Sequence, residues 1–202
     1  MWGFWVAQSP RNRRYLMAGK TLTTLKRNVL EPMSEIFGGC FTYSVTKKEA
    51  QLFGRRIHLE GAANAGAEGK IRGMTLMGAY CDELTLFPED FFTMLLSRLS
   101  EEGAKLFATT NPDTPGHWLK RDYLDKGLSD LLSLKFTLDD NPHLPRDYVA
   151  ALKSEFSGVF YDRFILGMWV AAEGRIYETF SEQCILSVQE MSDRLRKAPL
   201  IT

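Results

Sequence analysis

The chain has 202 residues, of which 45% are apolar and 25% charged, and its formal net charge is zero. This composition predicts one large globular domain, or one and a half small ones, and excludes collagen-like, disordered and coiled-coil chains. No apolar run approaches the roughly 18 residues that a membrane-spanning helix needs, so we expect no membrane association. Three widely spaced cysteines, Cys40, Cys81 and Cys184, favour a reducing cytosol over a disulfide framework.

The net charge of zero conceals two oppositely charged parts. Residues 1–72 carry 12 Lys and Arg against 5 Asp and Glu, a net charge of +7, whereas residues 73–202 carry 13 against 20, a net charge of −7. A basic first part could face phosphates, either of a nucleotide or of a nucleic acid. Charges that simply solvate a surface are the alternative interpretation.

Short apolar runs alternate with amphipathic helices, which predicts an α/β fold. We expect strands at residues 14–18, 41–45, 51–59, 76–81, 104–109 and 131–138, with a turn at Gly54-Arg55. We expect helices at residues 21–37, 88–99, 118–124, 146–156 and 161–166. Residues 61–73, rich in Gly and Ala, are typical of a loop. In the helix that begins at Pro88, the predicted buried stripe consists of Phe91, Phe92, Leu95, Leu96 and Leu99.

Two adjacent acids, Asp82 and Glu83, directly follow the predicted strand at residues 76–81. The carboxyl ends of strands are where open α/β sheets bind ligands. In nucleotide hydrolases the first acid of such a pair holds hydrated Mg²⁺, and the second orients and deprotonates the attacking water. The alternative is an ordinary strand followed by an acid that caps a helix.

A second polar group, Thr109-Thr110-Asn111, ends the next predicted strand. Small polar residues at this position can hydrogen-bond a γ-phosphate or the attacking water, and can transmit the presence of that phosphate to the rest of the domain. The alternative is that Asn111-Pro112 only initiates a turn. The order of acid pair, helix, strand and Thr-Thr-Asn-Pro is more specific than either motif alone.

Arg72 lies ten residues before Asp82, beside Gly73 at the end of the predicted loop. An arginine there can be offered to the nucleotide of a neighbouring subunit, where its guanidinium would spread charge over the transferring phosphoryl group. An ordinary surface arginine is the alternative.

The sequence contains no phosphate-binding motif of the form G-x-x-x-x-G-K-[ST]. Gly19-Lys20-Thr21 fails that pattern, because Arg14 occupies the position of the first glycine; we interpret it as a strand-to-helix turn in which Thr21 caps the helix. The three histidines are too scattered for a metal site, and Cys81 is predicted to be a core residue.

Several of these blocks together resemble the large subunit of tailed-bacteriophage terminase, the motor that packages viral DNA. The resemblance runs from Tyr15 to Tyr177, and its most characteristic blocks are residues 72–83, 107–113, 137–142 and 164–169. It implies a partial ASCE-type P-loop ATPase fold over residues 1–172, with a mainly parallel open sheet flanked by helices. Residues 173–202 would be a linker and the start of a truncated nuclease domain.

The resemblance also implies roles for the singled-out residues. Asp82-Glu83 would be the Walker B pair, with Asp82 holding Mg²⁺ through water. Thr109, Thr110 and Asn111 would be the coupling motif, and Arg72 an arginine finger acting in trans. ATP and Mg²⁺ would be the cofactors of the intact family protein. Its partners would be double-stranded DNA, the portal protein, the small terminase subunit and copies of itself in a ring, in the host bacterial cytoplasm.

The sequence departs from the family at both ends. The family's P-loop lies upstream of the segment that matches Met1, and its nuclease carboxylates lie downstream of about Thr202. Glu178, Glu182 and Glu190 are therefore not expected to be nuclease ligands. We expect an ATPase-domain fragment with little activity alone; the alternatives are a non-catalytic prophage remnant that binds DNA or motor subunits, and another ATPase with a divergent phosphate loop.

Overall fold

A mixed six-stranded sheet organises the computed structural model, which describes residues 1–63 and 66–171 together with Met191. The strands are β1 (Tyr15–Gly19), β2 (Phe41–Ser44), β3 (Glu49–Leu52), β4 (Arg55–Gly61), β5 (Gly78–Cys81) and β6 (Lys105–Ala108). Their order is β2-β3-β4-β1-β5-β6, with β4, β1, β5 and β6 parallel and the β2-β3-β4 pairings antiparallel. The predicted α/β class with a mainly parallel sheet is confirmed.

Strand β1 is central and buried along its whole length, as expected for a parallel strand covered on both faces. Its side chains alternate between two apolar clusters. One cluster joins Leu16 and Ala18 of β1 to Ala79 and Cys81 of β5 and to the next helix of the chain after β5. The other joins Tyr15 and Met17 to Ile57 and Leu59 of β4 and to the helices nearest the amino terminus.

Two helical segments cover this second face. Helix α1 (Trp2–Gln8), which the sequence patterns did not predict, packs closely enough that a Cβ on Gly78 would overlap the Trp5 ring. The predicted helix at residues 21–37 is present as α2 (Leu22–Leu25), a π-helical turn (Lys26–Leu30) and α3 (Glu31–Phe37). Thr21 caps it by accepting a hydrogen bond from the Thr24 N–H at 3.1 Å, which confirms the predicted turn at Gly19-Lys20-Thr21.

Helix α4 (Glu89–Arg98) covers the first face of the sheet, with Pro88 as its N-cap. Phe91, Phe92 and Leu95 are buried as predicted, but the inclusion of Leu96 in the stripe was wrong, because its residue is 37% exposed. One residue rotates a helical position by about 100°, which moves Leu96 past the edge of the apolar stripe.

The β3–β4 hairpin corrects the predicted strand at residues 51–59. Phe53 and Gly54 form the turn, with φ angles of 49° and 76°, so Arg55 already belongs to β4 and β3 starts earlier, at Glu49. Two consecutive positive φ angles are typical of the tight turns whose twist matches the flanking strands. The turn lies one residue before the predicted Gly54-Arg55 position.

The predicted strand at residues 131–138 was wrong. Residues 131–137 have no regular structure, and Leu132, Leu134 and Phe136 are 78%, 53% and 73% exposed. A strand needs a hydrogen-bonded neighbour, and none of the strands within residues 66–171 or 1–63 pairs with this stretch.

The remaining predicted helices are present in outline. They correspond to a π-helical turn (Lys120–Leu124), α5 (Arg146–Glu155), α6 (Gly158–Phe160) and a second π-helical turn (Tyr161–Ile165). Among residues 1–63 and 66–171, no helix is both long and apolar enough to cross a membrane. The predicted segment at residues 173–202, with Cys184, Glu178, Glu182 and Glu190, lies outside the described residues apart from Met191.

Candidate functional site

The two polar motifs singled out in the sequence lie side by side at one edge of the sheet. Strands β5 and β6 are parallel neighbours, and Cys81 is in register with Ala108. The next residue along each strand is therefore Asp82 on one side and Thr109 on the other. The main chain continues the pairing, since the Thr109 N–H donates to the Cys81 carbonyl at 3.0 Å and the Leu84 N–H donates to the Thr109 carbonyl at 2.9 Å.

The Asp82 carboxylate is almost buried, with 8% of the residue exposed, and a neutral donor contacts each of its oxygens. The Thr109 hydroxyl donates to Oδ1 at 3.1 Å, and the Asn28 amide Nδ2 donates to Oδ2 at 3.3 Å. The Asp82 N–H donates to the Ala18 carbonyl at 2.8 Å, which extends the β1 pairing by one residue. The carboxylate is thus held from β6 and from the helical segment at the same time.

Tyr80 extends this chain of hydrogen bonds beyond Thr109. Its hydroxyl lies 3.3 Å from Thr109 Oγ1, and because Thr109 gives its own proton to Asp82, Tyr80 is the donor. Burial, together with the nearby Asp82 charge, raises the pKa of Tyr80, although its bond to Thr109 acts in the opposite direction. The phenol therefore stays protonated and supports the Thr109 hydroxyl.

Glu83 marks the point where the strand breaks. It is half-buried and adopts the left-handed conformation, with φ 55° and ψ 55°, which is uncommon for a residue with a long side chain. A short 3₁₀ turn (Leu84–Leu86) follows it. Asp82 and Glu83 therefore differ in backbone conformation although they are adjacent in the sequence.

Thr110 and Asn111 serve the loop after Asp82. Thr110 Oγ1 accepts a hydrogen bond from the Thr85 N–H at 3.0 Å and donates to Thr85 Oγ1 at 2.8 Å. Thr85 Oγ1 donates in turn to the Asn111 carbonyl at 3.3 Å. Of the three predicted coupling residues, only Thr109 bonds the Asp82 carboxylate, while the other two join the β6 end to the loop that carries Thr85.

His117 is a member of the site that sequence reasoning missed. Its Nδ1 accepts from the Leu119 N–H at 3.1 Å, so the proton is on Nε2, which donates to the Thr85 carbonyl at 3.1 Å. The ring also packs against Trp118 and Trp169, with centroids 5.2 and 6.1 Å away. No sequence spacing could have identified this contact, because it joins loops 32 residues apart.

One family model matches most of the chain. The family model described as the T4likevirus-type terminase large subunit, N-terminal, matches residues 4–184. The chain belongs to the terminase large subunit family. The resemblance drawn from the sequence is thereby confirmed.

Solved large terminases from a thermophilic bacteriophage share the fold of this terminase chain. The ADP complex is 35% identical with a TM-score of 0.78, over 90% of this chain and 47% of that one. A second crystal form is 36% identical over the same shares with a TM-score of 0.78, and the ATP-γ-S complex is 34% identical with a TM-score of 0.76, over 91% and 46%. The chain therefore spans about half the length of these structures. None of the curated proteins matches it.

Arg72 of the terminase chain does not join the Asp82 cluster. Its side chain is 68% exposed and lies 3.8 Å from Glu68, while its carbonyl accepts from Arg98 at the end of α4. Two residues earlier, Lys70 contacts the buried Glu60 at 3.3 Å. Burial would raise the pKa of Glu60, but the Gly61 N–H and the ammonium groups of Lys48 and Lys70 lower it, so the carboxylate anchors the loop.

A basic groove of about 500 Å³ lies at the opposite end of the strands from Asp82, beside the amino-terminal end of the central strand β1. Its lining includes four arginines, Arg11, Arg13, Arg14 and Arg56, and one acid, Glu49. Glu101 contacts one of these arginines, Arg13, at 3.1 Å. The excess positive charge of residues 1–72 is thus partly concentrated at one place on the surface.

Cys81 is fully buried, and burial raises the pKa of its thiol strongly. It packs in the apolar cluster with Leu16 and Ala79, so the prediction that it is a core residue is confirmed. Throughout the part of the chain that the structure describes, no three His, Cys, Asp or Glu side chains group closely enough to form a metal site by themselves.

Proposed function

We propose that these residues form the nucleotide-hydrolysing part of a DNA-packaging motor, with the Asp82 cluster as its Mg-ATP site. The observation that carries the proposal is the 3.1 Å hydrogen bond between Thr109 and Asp82, which joins the predicted metal ligand to the predicted phosphate sensor. The large terminases of the thermophilic bacteriophage, which share this fold, were crystallised with ADP and with ATP-γ-S.

The Asp82 carboxylate fits a hydrated magnesium ion. Mg²⁺ is usually bound through one or two carboxylates and the phosphates of its substrate, with several waters retained. Each Asp82 oxygen receives one hydrogen bond, which leaves further lone pairs for water molecules of the ion. When bound, Mg²⁺ would offset charge on the β- and γ-phosphates.

Separate roles follow for the neighbouring residues. Glu83, displaced from the strand direction by its left-handed backbone, would accept a proton from the attacking water. Thr109 would register the γ-phosphate, and Thr110 and Asn111 would pass its presence to the Thr85 loop. The backbone groups that bind the phosphates would come from a P-loop on a strand beside β6. Among the described residues, β6 has a partner strand only on its β5 side.

The wider assembly belongs to the same proposal. Double-stranded DNA, the portal protein, the small terminase subunit and a ring of copies would be the partners, in the host cytoplasm. The basic groove at the start of β1 offers arginines suited to phosphate, because a guanidinium can donate two parallel hydrogen bonds to it.

The decisive experiment replaces Glu83 in a polypeptide that joins these residues to an upstream terminase P-loop. Glu83→Gln should retain ATP binding and lose hydrolysis by about 10²-fold or more, because an amide keeps the shape but cannot accept the proton. Glu102→Gln, an exposed glutamate between α4 and β6, is the matched control. Unchanged turnover in Glu83→Gln would contradict the proposal. Loss of turnover in every variant, parent included, would favour the non-catalytic alternative.

The 202 residues alone should hydrolyse ATP slowly or not at all, since they contain no P-loop motif. Robust turnover that Asp82→Asn abolishes would instead reveal a divergent phosphate loop.

The exposed position of Arg72 supports a role in trans, since its guanidinium does not contact the Asp82 cluster of its own chain. Rings mixed from Arg72→Ala and Glu83→Gln subunits should recover part of the hydrolysis that each variant loses alone, because some interfaces pair an intact Arg72 with an intact Glu83. Arg98→Ala is a control for the loop, since Arg98 binds the Arg72 carbonyl. Mixed rings that stay inactive would assign Arg72 to the surface.

A further inference from the structure

The helical segment after β1 contributes a hydrogen bond to Asp82 that the sequence motifs do not include. Asn28 Nδ2 donates to Asp82 Oδ2 at 3.3 Å, across 54 residues of sequence. The Thr109 hydroxyl occupies the other oxygen. Asn28 therefore completes a two-sided clamp, in which β6 holds one oxygen of the carboxylate and the helical segment holds the other.

The backbone around Asn28 is unusual in the same place. Asn28 is the middle residue of the π-helical turn Lys26–Leu30, which interrupts an otherwise α-helical segment. The Glu31 N–H closes this turn by donating to the Lys26 carbonyl, five residues back. A π turn widens the helix and redirects the side chains that it carries, and such turns are frequent at functional sites. An unbroken α-helix would present position 28 in a different direction.

A neighbouring side chain sets the direction of the Asn28 amide. Arg27 Nε donates to Asn28 Oδ1 at 3.1 Å. With its oxygen held by the guanidinium, the amide turns its NH₂ group to Asp82. The reverse orientation would place the amide oxygen against a carboxylate and its NH₂ group against a cation, so both contacts favour the same assignment.

We propose that Asn28 is a positioning residue for Asp82, and that Arg27 fixes the amide orientation this requires. The inference rests on the proposed nucleotide site and adds to it a residue pair from outside its motifs. Holding Oδ2 from the helical segment would keep the carboxylate in one rotamer while its remaining lone pairs face the hydrated ion. Removing partners of this kind typically lowers metal affinity about 10- to 100-fold.

The test measures metal binding directly, with Mn²⁺ as the probe. Mn²⁺ is titrated into the ADP complex of the P-loop-joined polypeptide and followed by electron paramagnetic resonance. Asn28→Ala should weaken Mn²⁺ binding about tenfold, with the melting temperature unchanged, because Asn28 is an exposed residue outside the core.

Variants of Arg27 separate positioning from charge. Arg27→Ala should weaken Mn²⁺ binding by a smaller factor than Asn28→Ala, because the amide remains but can rotate. Arg27→Lys should recover part of the loss, since it keeps a donor beside Asn28 Oδ1. Glu35→Gln, an exposed change in α3 on the same helical segment, is the matched control.

The outcomes distinguish this inference from the function on which it rests. If Asp82→Asn loses Mn²⁺ while Asn28→Ala binds it as tightly as Glu35→Gln, the positioning role is overturned and the nucleotide site stands. If Asp82→Asn keeps both Mn²⁺ binding and hydrolysis, the proposed function itself fails.

Discussion

Two stretches of this chain share a sequence pattern and differ in structure. Residues 76–81 form an apolar run that is followed by Asp82-Glu83. Residues 131–138 alternate apolar residues with Ser133, Lys135 and Thr137 and are followed by Asp139-Asp140, so both stretches have the pattern of a strand that ends in two acids. The first stretch contains β5 and leads to a buried carboxylate that contacts two other elements. The second has no regular structure before a 3₁₀ turn (Leu138–Asp140), and Leu132 and Phe136 are 78% and 73% exposed.

The neighbours of each stretch account for the difference. Strand β5 lies between β1 and β6, so its main-chain groups have partners on both sides. Asp139 and Asp140 contact nearby exposed groups instead. Asp140 accepts a hydrogen bond from the Thr137 N–H at 2.6 Å, and Asp139 forms an ion pair with Lys153 at 2.7 Å. In this chain, the strand-like pattern that ends in two acids leads to a buried carboxylate where parallel strands flank it on both sides.

The largest expected effect compares the first acid of each pair. In the P-loop-joined polypeptide, Asp82→Asn should reduce ATP hydrolysis by about 10²-fold or more, because it removes the charge that would act on the metal complex. Asp139→Asn should leave hydrolysis within about twofold, because it breaks only an exposed ion pair. Steady-state phosphate release measures both. Equal losses would mean that the two acid pairs are functionally alike.

A stability comparison gives the next largest effect. Leu76 is 1% exposed, so Leu76→Ala should lower the free energy of unfolding by about 2–5 kcal/mol through lost burial and a residual cavity. Leu132→Ala should change it by no more than about 0.5 kcal/mol, because the side chain already faces solvent. Urea unfolding of the 202-residue chain is the measurement. A large cost at Leu132 would show that residues 131–138 are packed in solution.

The smallest expected effect is the loss of the Asp140 capping contact at low pH. The Thr137 N–H, and then the Thr137 hydroxyl, donate to this exposed carboxylate and lower its pKa. A lowered pKa means that the capping contact is intact above the ordinary range for aspartate and is lost as the pH falls through the lowered value. The amide resonance of Thr137 should therefore titrate below that ordinary range.

Thr137→Val keeps the N–H donor and removes the hydroxyl. The pH midpoint at which the residue 137 amide titrates should therefore rise part of the way towards the ordinary aspartate pKa. An inflection at or above the ordinary aspartate value in the parent chain would contradict the capping contact.

These contrasts show which features the sequence could supply. The convergence of Asp82 and Thr109 was predictable, because adjacent parallel strands end at the same edge and both strands have strong apolar patterns. The contact between Asn28 and Asp82 could not be predicted, because it depends on a π-helical turn. That turn leaves the helical spacing of Leu25 and Val29 unchanged in the sequence. The turn at Phe53-Gly54 was misplaced by one residue, since Phe adopts a positive φ there that its residue type disfavours.

The prediction of a strand at residues 131–138 was wrong for a different reason. Local pattern describes the side chains of a strand but not the neighbour to which it must bond, and pairing is a property of the whole sheet. Arg72 remains a prediction, because a contact that would form between subunits leaves no trace within one chain.

The left-handed backbone at Glu83 has a consequence for which substitutions are favoured at this position. The Cβ atom of an L-residue costs roughly 1–2 kcal/mol in that conformation, whereas glycine, which has no Cβ, adopts it freely. Lineages under selection for folding alone would therefore move toward Glu83→Gly, and each such step would make the protein more stable. Glutamate at φ 55° therefore carries a conformational cost that glycine would not carry. Loss of the carboxylate is thus the change expected first when the demand on this position is relaxed, well before the sheet around it decays.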